Sequence, residues 1–314
     1  MKTLPCGNRA QFPRKILGAT ALLLSPLIFA LGQTRSVTVA SEPGAIVWID
    51  DVRYGKTDAT GGFSIKTVAP GVHTLRVSAD GFKETTKTLT ATQRGEIKLP
   101  LTRTDDKAEL AYQEAERLAS SDRDKAIDAY RQAISARLGY TRAYIGLSRA
   151  LSENGDTDAA LAAIRDLRKT APRTAEASAV EGRIYKDLGD DAKAIASFKR
   201  AITEGRGFQP EAYTGLGLLY KERGDGYGGQ GDTSKQATAY LEAAKDLRMG
   251  LKQLSGAPDT SVLYQLLGLV LEQQKKYAEA IALYQEFLRF YPDSSDAAAV
   301  QSFIVQLKKQ VSEQ

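Results

Sequence analysis

The sequence predicts a multidomain chain: a small all-β sandwich followed by an all-α superhelix of helix-turn-helix repeats. Three observations carry this. Between residues 33 and 102, short β-branched and aromatic runs recur about every ten residues, divided by Pro/Gly turns. Residues 105–314 change to helical period. Within them one pattern returns every 34 residues: Ala126, Tyr130, Ala133; then Ala160, Ile164, Leu167; then Ala194, Phe198, Ala201.

Residues 1–32 read as a leader. Lys2, Arg9, Arg14 and Lys15 precede the apolar run 16–31 (ILGATALLLSPLIFAL), and no acid occurs before Gln33. Ala30 and Gly32 supply small residues at a cleavage site, the three-part form of a secretory signal peptide. The run is 16 residues long, short of the ~20 that span a bilayer. An uncleaved anchor, attaching the chain to a membrane through 16–31, is the alternative. Either form places the rest of the chain outside the cytoplasm, in the periplasm or cell envelope. Cys6 precedes the apolar run instead of ending it, which argues against a lipoprotein anchor.

The pI near 9.0 suggests a nucleic-acid partner until the charges are placed. Four of the 43 basic residues lie in the leader, leaving 39 against 38 acidic residues. From Lys107 onward there are 29 of each. No global basic field exists to bind nucleic acid. Cys6 is the one cysteine and His73 the one histidine, so the mature chain has no disulfide, no Cys-ligated metal and no Ser/His/Asp triad. Nothing in the sequence calls for a cofactor or forms a catalytic constellation. Asp50, Asp51 and Asp58 lack the alternating spacing of a calcium loop and read as turn carboxylates. A charged fraction of 26% with 42% hydrophobic residues is that of folded protein.

The strand runs are 36–40, 45–50, 62–68, 73–79, 83–91 and 96–102. In HTLRVSA, Leu75 and Val77 alternate with Thr74, Arg76 and Ser78, which predicts one buried face and one wet face. The segments SEPGAIVWIDD (41–51), YGKTD (54–58) and APGVHTLRVSADGF (69–82) resemble the PEGA domain, with the order here Glu42-Pro43-Gly44-Ala45. DATGGFSIKTVAPGVHTLRVSADGF (58–82) is equally similar to the carboxypeptidase regulatory-like domain. Both resemblances imply a prealbumin-like sandwich in exported or surface proteins, without catalytic residues.

Asp106 and Glu109 open the helical part as an N-terminal capping pair. Twelve positions before the later two repeating alanines, Ala160 and Ala194, stand the small residues Ser148 and Gly182. Small residues at such positions let helices approach, and large ones fill the gaps between them. Leu216, Gly217, Ala237, Leu241 and Ala244 fit a further unit with about eight extra residues. Those residues include Gly224-Asp225-Gly226-Tyr227-Gly228-Gly229, which spells GxGxxG but lacks the strand-turn-helix setting of a nucleotide loop. It reads as an inserted flexible loop. Tyr264, Gly268, Ala280, Tyr284, Phe287 and Pro292 form the cleanest unit, and Ala299, Phe303 and Leu307 mark a C-terminal capping helix. This region resembles tetratricopeptide (TPR) repeats: about five, with the cap.

The TPR resemblance implies a concave groove that binds extended peptides or helices of other proteins. The groove positions in this register are Arg142, Ile145, Arg149 and Ser152; Glu176, Ala179, Arg183 and Lys186; Glu211, Thr214, Leu218 and Lys221; and Val262, Gln265, Leu269 and Glu272. Arg142, Arg149, Arg183 and Lys186 make a basic stripe suited to an acidic or C-terminal peptide segment. Leu218 and Leu269 make the later repeats more apolar. The asparagines of carboxylate-clamp TPRs are absent, so that specificity does not carry over. The expected function is a non-catalytic interaction scaffold of the cell envelope. The alternative is a glycan- or cell-wall-binding protein acting through the sandwich, with Tyr54 and Trp48 as candidate stacking rings, although Trp48 reads better as core.

Overall fold

A computed structural model describes residues 35–313, except 51, 255, 256 and 259. The leader lies outside the described residues. Residues 34–314 form one compact unit.

Nine strands occur among the described residues: β1 (Arg35–Ala40), β2 (Ile46–Ile49), β3 (Val52–Lys56), β4 (Gly62–Val68), β5 (His73–Ser78), β6 (Phe82–Lys83), β7 (Thr85–Leu89), β8 (Gly95–Lys98) and β9 (Thr102–Arg103). They form sheets ordered β4-β1-β8 and β3-β2-β5-β7, with a small β6-β9 pair. Val37, Val39, Val47, Ile49, Leu75, Val77 and Ile97 alternate inward and fill the space between the two large sheets. The Glu42-Pro43-Gly44 turn pins the closing strand, because the Glu42 carboxylate accepts the Leu101 N–H at 2.9 Å. Asp50 and Asp58 serve turns. Asp50 accepts from the Thr74 N–H at 2.7 Å and meets His73 Nδ1 at 2.5 Å, and Asp58 accepts from the Thr60 and Gly62 N–H groups.

Two features depart from the sequence expectation. The first part of the YGKTD stretch, Tyr54 to Lys56, belongs to a strand, β3, that hairpins onto β2. The outer face of β5 is wet only in part: Thr74 is exposed, but Arg76 is 9% exposed. Helices cover the face at Arg76, as described below.

The helices are α1 (Lys107–Leu118), α2 (Arg123–Ala136), α3 (Thr141–Glu153), α4 (Thr157–Thr170), α5 (Ala175–Asp187), α6 (Asp191–Glu204), α7 (Pro210–Gly229), α8 (Thr233–Gln253), α9 (Thr260–Gln273), α10 (Tyr277–Phe290) and α11 (Ala297–Ser312). They stack as five antiparallel pairs and a cap. Asp122, Asp156, Asp190 and Asp232 each cap the second helix of a pair by accepting the N–H three residues on. Asp106 caps α1 from Ala108 and Glu109. Ala126, Ala160 and Ala194 are fully buried. Large rings of the second helices lie on glycines of the first: an added Cβ would stand 2.4 Å from Tyr130 at Gly146, 2.6 Å from Phe198 at Gly182 and 2.2 Å from Tyr284 at Gly268.

The fourth pair corrects the expected loop. Residues 224–229 are the end of α7, and the insertion lengthens both helices, to 20 and 21 residues against 13 and 14 in α5 and α6. The inward set is Tyr240, Ala243, Ala244 and Leu247: the expected Ala244 is buried, but the ring position is Tyr240 and not Leu241, which is 53% exposed. The physical reason is packing: Gly224 stands twelve residues before Gln236 and lies against Tyr240, where a Cβ would be 2.6 Å away. The glycines that suggest a loop make room between two long helices. In the cap Leu307 is buried as expected, but Val300 and Ile304 take the inward places of Ala299 and Phe303, and Phe303 is 41% exposed.

The helical array holds the sandwich at both ends. Near its start, Gln113 of α1 accepts the Gly81 N–H and donates to the Phe82 carbonyl, each at 2.8 Å. Farther on, Leu254 and Ala257, in the turn after α8, pack into the sandwich core beside Tyr54. Tyr291 donates to the Ala257 carbonyl at 3.0 Å. Seven added residues per helix reach roughly 10 Å farther, and that reach brings this turn to the sandwich.

Gly226 lies inside α7 with open space around it. Gly226→Ala should therefore stabilise the chain by about 0.5–1 kcal/mol, and Gly224→Ala should destabilise it, as read by chemical denaturation. Equal, near-zero effects would mean that the segment is a loop.

Candidate functional site: a groove closed by the sandwich

A cavity of about 1010 Å³ opens on the first helices of the repeats. Its repeat-side wall includes Arg142 and Arg149 of α3, Arg173 in the turn before α5, Glu176, Arg183, Lys186 and Asp187 of α5, and Glu211, Thr214 and Leu218 of α7. Phe208, Leu254 and Leu263 add apolar surface. The opposite wall is the β2–β3 turn of the sandwich, with Asp50, Val52 and Arg53. A second cavity, of about 240 Å³, lies between Trp48 and Arg76 of the sandwich and Tyr112, Tyr130 and Arg142 of the repeats.

Electrostatics at the joint centre on Glu84, whose side chain is 9% exposed. Arg76 of β5 donates to it at 2.9 Å, and Arg142 of α3 donates to the same Oε2 atom. The Arg76 guanidinium lies 4.0 Å over the Trp48 ring, a cation–π contact. Burial works against the charge on Arg142, but Glu84 outweighs it and holds the guanidinium pKa above its ordinary value. Deeper in the groove, Arg149 contacts Glu176 at 3.0 Å and Glu211 at 2.7 Å. Burial opposes its charge too, and the two carboxylates more than compensate.

Family models match three segments. The carboxypeptidase regulatory-like domain matches residues 32–102, and tetratricopeptide repeats match 145–210 and 261–294. The chain carries a carboxypeptidase regulatory-like domain followed by TPR repeats. No curated protein matches it in sequence. Among solved structures, yeast Tom70 is 16% identical with a TM-score of 0.52, over 65% of this chain and 40% of that one. A thermophilic TPR protein of Thermus thermophilus is 18% identical with a TM-score of 0.46, over 63% of this chain and 99% of that one. MamA is 19% identical with a TM-score of 0.42, over 60% and 94%. At these identities the likeness to Tom70 concerns the fold alone. Of the two resemblances carried by the β domain, the family match supports the carboxypeptidase regulatory-like one.

The TPR groove gathers Arg142, Arg149, Arg183, Lys186 and Leu218 around the larger cavity. It does not gather Ile145, Lys221 or Leu269 there, nor the groove positions Ser152, Ala179, Val262, Gln265 and Glu272. Ile145 is 3% exposed and lines the smaller cavity. Lys221 pairs with Asp225 at 2.7 Å within α7. Leu269, 47% exposed, lies farther along α9. Ala179, also assigned to the groove, is fully buried. The basic stripe is largely neutralised by the chain's own acids, since Lys186 also meets Glu222 at 3.3 Å. The sandwich residues Val52 and Arg53 are not legible as groove residues, because the TPR register assigns only helix faces. Arg173 follows Pro172 and belongs to a turn, outside that register.

The two candidate stacking rings exchange roles. Tyr54 is 7% exposed in the sandwich core, and burial pushes its hydroxyl pKa well up. Trp48 lies on the opposite face of its sheet from Val47 and Ile49, under Arg76. Among the described residues no group of three or more His, Cys, Asp or Glu could hold a metal, and no helix is long and apolar enough to cross a membrane.

Removing the Glu84 carboxylate takes away the one acceptor atom that Arg76 and Arg142 share and leaves two cations close together. Glu84→Ala should cost about 3–5 kcal/mol, as read by the denaturation midpoint. A loss below about 1 kcal/mol, the range of an exposed ion pair, would show that the joint does not depend on this carboxylate.

Proposed function

We propose that this protein is a non-catalytic interaction scaffold of the bacterial cell envelope, exported by residues 1–32, whose TPR groove binds an acidic or C-terminal segment of a partner protein. TPR architecture in general supports protein partners. The observation that carries the reading further is the cavity itself. It lies on the first-helix faces of successive repeats, combines arginines with Leu218 and Leu263, and has the size of a ligand site rather than a packing defect. The basic n-region, apolar run and small residues ahead of Gln33 support export. The glycan alternative loses its best candidate, because Tyr54 is buried.

Cross-linking in cells, followed by purification from the envelope fraction, tests this. Leu218→Asp and Arg183→Glu should each lose a partner that the wild-type chain captures, with unchanged melting midpoints. Capture of the same proteins by all three chains would remove the groove from the account.

A further inference from the structure

Both domains build the groove, and this changes which charges are open to a partner. Of the cations around the larger cavity, Arg142 is taken by Glu84, Arg149 by Glu176 and Glu211, and Lys186 by Glu222. Arg53 and Arg173 are exposed, and no carboxylate of the described residues lies within ion-pair distance of either. Arg183 has only a 3.8 Å approach to Glu211, and its Nη2 atom is buried without a hydrogen-bond partner. The acids in the same wall are mostly committed: Asp50 to His73 and the Thr74 N–H, and Glu176 and Glu211 to Arg149. Asp187 remains. The uncommitted charge is therefore net positive, and it comes from three places: the sandwich turn, the turn before α5, and α5 itself.

Resting on the interaction reading above, we infer that the partner site is composite. An acidic, extended segment of another protein lies between Arg53 of the sandwich and Arg173 and Arg183 of the repeats, with its apolar side chains on Leu218, Leu254 and Leu263. The chain shows on itself what groove cations accept, since Glu84, Glu176 and Glu211 are carboxylates seated on groove arginines. A partner carboxylate meeting Arg183 would also satisfy a buried donor that is otherwise unpaired, which strengthens the contact and its specificity. A sandwich fixed against the repeats makes Arg53 part of the recognition surface rather than a spacer.

The test uses the purified chain and two fluorescent peptides, one alternating glutamate with leucine and one alternating glutamine with leucine, read by anisotropy. The glutamate peptide should bind at least about tenfold more tightly than the glutamine one. Arg53→Glu and Arg173→Glu, both at exposed positions, should each weaken it by at least about tenfold, while Lys98→Glu, away from the cavity, should not. Loss of binding in Arg183→Glu and Leu218→Asp but not in Arg53→Glu would overturn the composite site and leave the TPR groove reading standing. Equal binding of the two peptides would overturn the acidic partner chemistry.

Discussion

Arg76 and Arg142 belong to different domains, and both donate to one oxygen of Glu84. Three charges withdrawn from water carry a large desolvation cost, which is recovered only when each is held close to its opposite and the remaining faces are covered. Here the covering is aromatic: Trp48 lies under Arg76, and the Tyr112 and Tyr140 rings lie 5.4 and 5.9 Å from the Arg142 guanidinium. This arrangement explains why Arg76, on the outer face of β5, is buried and why Trp48 points away from the sandwich core. It also fixes the β2–β3 turn as a wall of the groove. The Gln113 hydrogen bonds and the Leu254–Ala257 contact act at other points of the same joint, so the sandwich cannot pivot about a single pair.

The helical array meets its own constraint by pairing small with large. Phe198 lies against both Gly182 and Gly215, so one ring sets the spacing of three helices. Where the second helix carries tyrosine, its hydroxyl donates to an acid of the first: Tyr130 to Glu116, Tyr240 to Asp225 and Tyr284 to Glu272. The buried polar end is thereby satisfied. The long α7–α8 pair uses the same device farther along its length, and its far end supplies the second grip on the sandwich.

Most of the fold is legible in the sequence because it rests on local period. A small, a large and an apolar residue at offsets 0, +4 and +7 identify a helix face, and β-branched runs between Pro/Gly turns identify strands. The failures share one cause. Gly224 to Gly229 carry the composition of a loop, yet their role is set by Tyr240 and Gln236 on another helix. Trp48 and Tyr54 are aromatic residues of neighbouring strands, β2 and β3, and only the partner of each sheet face decides which is buried. The groove residues are half legible for the same reason. Repeat register places Arg142, Arg149, Arg183 and Lys186 on the concave side, but which of them are spent on Glu84, Glu176, Glu211 and Glu222 depends on contacts up to 62 residues apart. No local pattern records that a β domain closes the groove.

The central claim is that the sandwich is seated in the concave side of the TPR array and held there. Small-angle X-ray scattering of the purified chain tests it most directly. The account predicts a pair-distance distribution with one maximum, that of a single compact body. A distribution with two separated maxima, a sandwich lobe and a helical lobe, would contradict it.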